Sequence, residues 1–114
     1  MHIEAIHGYQ HDLPVQGAAY TMSTAALTIM DTTLVEVVTA DGVTGFGEVC
    51  PVGSTYQPQH AKGARAALNE LAPHLIGANA THIDQARRIM DGCLLGHEYA
   101  KAALDMALWD ILGK

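Results

Sequence analysis

The chain has 114 residues, 49% of them hydrophobic and 16% charged, with a net charge of −6 at neutral pH. That is enough chain for one domain with a real core. The acidic balance and six scattered basic residues exclude a nucleic-acid binder, which needs clustered Lys and Arg. No apolar run approaches membrane-spanning length, and Met1 to Ile6 lacks the basic start of a secretion signal.

Residues 2–13 alternate loosely with period two and stop at Pro14, as a strand does. The alternation puts Ile3, Ala5, Tyr9 and Leu13 on one face. Residues 15–24 are small and irregular, a long connection of the kind that carries function. Within 25–40, rich in Leu, Ile, Val and Thr, Thr33 to Thr39 is the clearest strand. Asp41-Gly42 follows as a turn, because Gly accepts positive φ. The return strand, Val43 to Val49, holds Gly45 and Gly47, which suggest a bulge or a close approach by another backbone. Three antiparallel strands in a meander result. A second loop, Cys50 to Pro58, then leads into helices.

The first helix is expected from Gln59 to Leu71, ending before Pro73. Thr81 is placed to cap the second, with Asp84 in capping-box spacing. Ile83, Ala86, Ile89 or Met90, and Cys93 would face inward. The last helix, His97 to Leu112, carries the only Trp and is apolar almost all round. Glu98, Lys101 and Asp105 form its one polar stripe, read as an ion-paired surface with Lys between two acids. The preceding hundred residues can cover one face of this helix but not both, so the chain is expected to be part of something larger. Strands followed by helices make the fold class α+β: a three-stranded antiparallel β-meander followed by a three-helix bundle, in a single domain spanning 1–114.

Candidate chemistry is sparse. Seven histidines invite a metal, but His7 and His11 on a strand stand about 13 Å apart, and no helical HxxxH pair exists. No metal ligand and no catalytic residue is assigned. Cys50 and Cys93 read as reduced, inert thiols of a cytoplasmic protein. There is no GxSxG and no GxGxxG. Glu48, at the end of the third strand, reads as ordering the second loop through backbone N–H groups or, as the lesser alternative, as meeting a partner. The two loops remain. They leave one end of the sheet and carry Tyr20, Met22, Ser54 and Tyr56 as candidate substrate-binding residues, the tyrosines suiting a ring or a cation.

Several stretches carry a resemblance: Thr33 to Thr39, Asp41-Gly42, Thr44-Gly-Phe-Gly-Glu48, Leu71-Ala-Pro-His-Leu-Ile-Gly77 and Ala100 to Lys114. In order and spacing they resemble the N-terminal capping domain of the enolase superfamily, in the mandelate racemase and muconate-lactonizing enzyme group. The resemblance implies a following TIM-like barrel, absent from this chain, that holds Mg²⁺ and the acid/base residues. It implies proton abstraction α to a carboxylate, in a racemase, epimerase or dehydratase. It makes Gln16 to Thr24 and Cys50 to Pro58 the loops that close over an amino-acid-like carboxylate. Pro51 to Pro58 and Met90 to Lys101 are similar to members acting on hydroxyproline and proline betaine. Such a chain is expected to be inactive alone, and the surplus apolar face of its last helix to be hidden by self-association, in a homo-oligomer. The competing expectation is a free-standing, non-catalytic binding or oligomerisation module of the same fold.

Overall fold

The computed structural model describes residues 1–17, 19–21, 26–53 and 59–114, with the side chain of Tyr20 left aside. Five strands and three helices follow one another: β1 (Ile3–Pro14), β2 (Tyr20–Thr21), β3 (Ala26–Leu27), β4 (Ile29–Thr39), β5 (Thr44–Val49), α1 (Ala61–Leu75), α2 (Ile83–Cys93) and α3 (Glu98–Gly113). β1, β4 and β5 form an antiparallel sheet in the order β1-β4-β5, and β2 and β3 make a separate two-stranded hairpin. The expected meander and three helices are present.

β4 alternates as its sequence requires. Thr33, Val35, Val37 and Thr39 are buried, and Leu34 is exposed. The buried set faces the helices, where Leu68, Leu71, Leu75, Met90, Leu104, Leu108 and Ile111 complete the core with Ile3 and Val49. The opposite face of the sheet is left bare of helices. Gly42 takes φ +86 in the connection from β4 to β5, as a turn glycine should.

The two strand glycines act as contact surface. A Cβ on Gly47 would lie 1.8 Å from the carbonyl oxygen of Ala103, and one on Gly45 would lie 2.1 Å from that of Ala107. α3 therefore packs backbone to backbone on β5, the close approach that the pair of glycines suggested. Two polar ties close the joint. The Phe46 N–H donates to Asp110 Oδ2 at 2.9 Å, and Lys114 Nζ donates to the Thr44 carbonyl at 2.6 Å.

Four expectations need correction. A register shift between Ile3 and Ala5 flips the parity of β1. Ile3 and Ile6 consequently face the core, while Tyr9 and Leu13 are exposed on the other side. α1 runs through Pro73 to Leu75, because the proline falls in the last turn, where little ladder remains to break; Gly77, at φ +88, marks the stop. Thr81 does not cap α2: its hydroxyl and N–H both donate to Asn79 Oδ1, and His82 holds the cap position. Lys101 is not a surface lysine. Its side chain is 1% exposed, and Nζ donates to Asp91 Oδ1 at 2.9 Å and to the Leu94 carbonyl at 2.6 Å. It joins α3 to the end of α2, while Glu98 pairs with Arg87 instead. The i, i+3 rule misassigned Lys101 because a tertiary partner outcompeted its helical neighbours.

Candidate functional site

The end of the sheet that carries both loops is built from short-range rules. β1 and β4 finish together, Pro14 opposite Ile29, and the Val15 N–H donates to the Thr28 carbonyl at 2.8 Å. The first connection then folds on itself as the β2–β3 hairpin, Tyr20 opposite Leu27. β5 leaves the sheet at Val49, beside Thr33, and Pro51 is buried behind it. Gly53 turns the chain at φ +73, and a Cβ there would sit 3.3 Å from a Leu27 methyl. β3, at the end of the first connection, thus lies beside the second loop, Leu27 next to Gly53. A cavity of about 250 Å³ lies between the start of β4, the second loop and the start of α1, lined by Ile29, Met30, Asp31, Pro51, His60 and Lys62 among others.

α1 begins with an unusual cap. His60 Nδ1 accepts the Gly63 N–H at 2.8 Å. That bond commits the Nδ1 lone pair to the cap. Gln59, just before it, reaches across to α3 and accepts the Tyr99 N–H at 3.0 Å. The end of the second loop is thereby tied to two helix N-termini.

A polar clamp sits on the core side of the same sheet end. Arg65 donates to both oxygens of Asp31, at 2.8 and 3.1 Å, and to Thr33 Oγ1 at 3.1 Å. Gln10 Nε2 adds donations to Asp31 at 3.0 Å and to Asp12 at 2.7 Å. The Arg65 hydrogen bonds hold the Asp31 carboxyl below the usual carboxylate range, and Asp31 in turn holds Arg65 up. Asp91 is lowered chiefly by Lys101, and Asp110 chiefly by the Phe46 N–H. These three carboxyls are salts at neutral pH and are not poised as general acids. Among the described residues no group of three His, Cys, Asp or Glu is placed to hold a metal ion, and no helix is long and apolar enough to cross a membrane.

Of the four residues assigned to substrate, Met22, Ser54 and Tyr56 lie outside the described residues; Tyr20 is placed by its backbone alone, in β2. Among the described residues Glu48 makes no hydrogen bond to the second loop, most of which lies outside them. It faces the bare side of the sheet and accepts the Thr32 hydroxyl at 2.6 Å, tying β5 to β4. The Arg65–Asp31 clamp was missed from sequence, because its partners are far apart along the chain. The available signal was Arg65 itself, a charge beside the apolar stripe Ala64, Ala67, Leu68 and Leu71 of α1.

A second feature lies on α3. Tyr99, Ala102, Met106 and Trp109 recur at three- and four-residue spacing, and Met106 and Trp109 are 50% and 56% exposed. The opposite stripe, Ala100, Ala103, Leu104, Ala107, Leu108 and Ile111, is buried. The helix thus covers the core with one face and leaves a second apolar face bare, as expected of a helix short of cover.

The profile of the N-terminal domain of the mandelate racemase / muconate lactonizing enzyme family matches residues 3–114. Cis-3-hydroxy-L-proline dehydratase of Roseibium aggregatum is 47% identical over 115 aligned positions, which cover 100% of this chain and 31% of that protein. The crystal structure of an enolase-superfamily member from Roseovarius nubinhibens superposes with a TM-score of 0.91 at 42% identity, over 98% of this chain and 30% of that one. N-succinyl Arg/Lys racemase from Bacillus cereus superposes with a TM-score of 0.93 at 32% identity, over 99% of this chain and 30% of that one. The chain spans about a third of the length of these relatives.

Proposed function

The chain belongs to the mandelate racemase / muconate lactonizing enzyme N-terminal domain family, the capping domain of the enolase superfamily, and from that premise we propose that it caps and selects the substrate of an enzyme that abstracts a proton α to a carboxylate. The observation that carries the reading is the emergence of both connections at one end of the sheet, where Leu27 of β3 lies beside Gly53 of the second loop. Loops held by a scaffold are where recognition resides. In this reading Tyr20, Met22, Ser54 and Tyr56 contact the substrate. Tyr56 offers its ring face to a cationic nitrogen. The bare face of α3 seats on a barrel domain, which holds Mg²⁺ and the acid/base groups. Magnesium there would stabilise the enediolate charge. The described residues of this chain supply no ligand set for it. Their part is to bind, orient and exclude water.

The 47% identity to a cis-3-hydroxy-L-proline dehydratase supports a proline-type substrate and makes dehydration the first reaction to assay. The test is steady-state kinetics on a protein joining this domain to its barrel, with cis-3-hydroxy-L-proline and proline betaine, with and without Mg²⁺. Tyr56→Ala should raise KM for the preferred substrate at least tenfold, with a smaller change in kcat. An unchanged KM would remove Tyr56 from the site. The 114-residue chain alone should show no turnover, and activity from it would refute the capping role.

A further inference from the structure

The two edges of the main sheet are treated differently. Along β5, Asp110 takes the Phe46 N–H and Lys114 takes the Thr44 carbonyl, so α3 closes that edge. At the start of β1 the segment around residues 77–80 does the same. The Ile3 N–H donates to the Ala78 carbonyl, and the Gly77 N–H donates to the Ile3 carbonyl, both at 2.8 Å. From Glu4 to Pro14 the outer edge of β1 meets no strand among the described residues, and residues 7–14 are exposed. The guards there stand at its two ends: the register shift and Glu4 at the start, Asp12 and Pro14 at the finish, with none between Ala5 and His11. There is no lysine, and the only proline is the last residue.

The direction of each backbone group follows from the ladder. The Val15 N–H points to β4. In an antiparallel pair alternate residues point the same way, so Leu13, His11, Tyr9 and His7 also address β4. Asp12, Gln10, Gly8 and Ile6 address the open edge. Pro14 falls in this outward set, where its missing N–H takes nothing from the sheet. Four N–H groups and their carbonyls are aligned for a strand that the described residues do not supply.

We propose that the open edge of β1 is a self-association surface, on which a second copy of this chain lays its own β1 antiparallel across a two-fold axis at Tyr9. A two-fold antiparallel pair is self-complementary, so one strand satisfies both copies. The register follows from length and charge. The open stretch Glu4–Pro14 has Tyr9 as its midpoint, so this register uses all of it. Gly8 then exchanges both hydrogen bonds with the partner's Gln10, and Ile6 with the partner's Asp12. On the bare face Tyr9 meets the partner's Tyr9, His7 meets the partner's His11, and Ala5 meets the partner's Leu13. No like charges oppose. An axis at Gly8 would set Glu4 against the partner's Asp12, an unfavourable pair. An axis at His7 would run into the segment that already covers Ile3.

Light scattering on the purified chain over a dilution series tests the proposal, the monomer being 12.1 kDa. The expected result is twice that mass, falling to the monomer on dilution. Mild oxidation of Tyr9→Cys should give a dimer whose disulfide maps from position 9 to position 9, since facing residues of a non-hydrogen-bonded pair lie close. His7→Lys with His11→Lys sets lysine against lysine twice and should give monomer. His7→Lys with His11→Glu sets lysine against glutamate twice and should restore the dimer. A monomer at all concentrations, a bridge that does not map to position 9, or identical masses for the two double variants would each overturn the register. Should either double variant fail to fold by circular dichroism, the wild-type mass and the Tyr9→Cys map decide.

Discussion

Gly47→Ala tests the backbone contact between α3 and β5. Its Cβ would lie 1.8 Å from the Ala103 carbonyl oxygen and 2.8 Å from the carbonyl carbon. Comfortable contact needs roughly 3.5 Å, so the helix and strand must part by more than about 1 Å. The obstacle is backbone, and no rotamer can relieve it. Overpacking ordinarily costs about 1–3 kcal/mol. Here separation also loosens Leu104, Leu108 and Ile111 from the core and pulls Asp110 from the Phe46 N–H. The expected loss is at the top of that range or above it, about 3–5 kcal/mol, against a total stability of order 5–15 kcal/mol. Urea unfolding followed by far-UV circular dichroism and Trp109 fluorescence gives the number. Gly8→Ala and Gly92→Ala are the controls, because a Cβ at either meets nothing within 4 Å. Gly92 lies in the last turn of α2, so its alanine should stabilise by no more than about 0.5 kcal/mol. If Gly47→Ala unfolds within about 0.5 kcal/mol of the wild type at unchanged m-value, the contact is not the constraint described.

Three further outcomes follow from the other joints. Lys101→Met keeps the volume but removes the ammonium from Asp91 and the Leu94 carbonyl; a loss of about 1–3 kcal/mol in urea unfolding is expected, and no loss would mark the pair as dispensable. His60→Ala should lose about 1 kcal/mol by removing the α1 cap, and His60→Asn should recover most of it; equal losses would deny His60 its capping role. Asp31, Asp91 and Asp110 are all held below their ordinary values in the folded chain. Their contribution is complete above the unfolded carboxylate value, near pH 4, and is lost as pH falls through the lower folded values. The urea midpoint should hold level from pH 7 to about pH 5 and drop below about pH 4; a midpoint level down to about pH 3 would show that these contacts contribute nothing.

Periodicity carried most of the fold. β4 reads correctly because its buried and exposed residues alternate without interruption from Thr33 to Thr39. The Gly45 and Gly47 pair was legible because a strand has little other use for glycine. β1 was misread because one inserted residue near Ile3 inverts every later side chain, and nothing in the residue types marks the insertion. Lys101 was misread for a related reason: local spacing offers it Glu98 and Asp105, whereas the fold offers Asp91 and the Leu94 carbonyl just past α2. The root of the site was visible as two loops at one end of the sheet. Its polar clamp was not, since Arg65 meets Asp31 only once the sheet and α1 are packed. Thr81 shows the same limit at short range, where Asn79 competes for a hydroxyl that the capping box would have used.

α3 joins these threads, because its sequence serves two surfaces at once. Alanines at 100, 103 and 107 let the buried stripe approach the glycines of β5, which only small residues allow. Larger residues on that stripe would push the helix away and leave Asp110 and Lys114 unable to reach the strand edge. The bulk absent from the inner stripe reappears outside, in Tyr99, Met106 and Trp109. A helix needing only a solvated outer face would carry Glu, Lys and Gln there, at no cost in helix propensity. Large apolar residues at three- and four-residue spacing are instead what a second packed layer requires. The capping reading places a barrel against that layer. The proposed β1 pairing uses the far edge of the same sheet, so both contacts can form on one domain without competing for a residue.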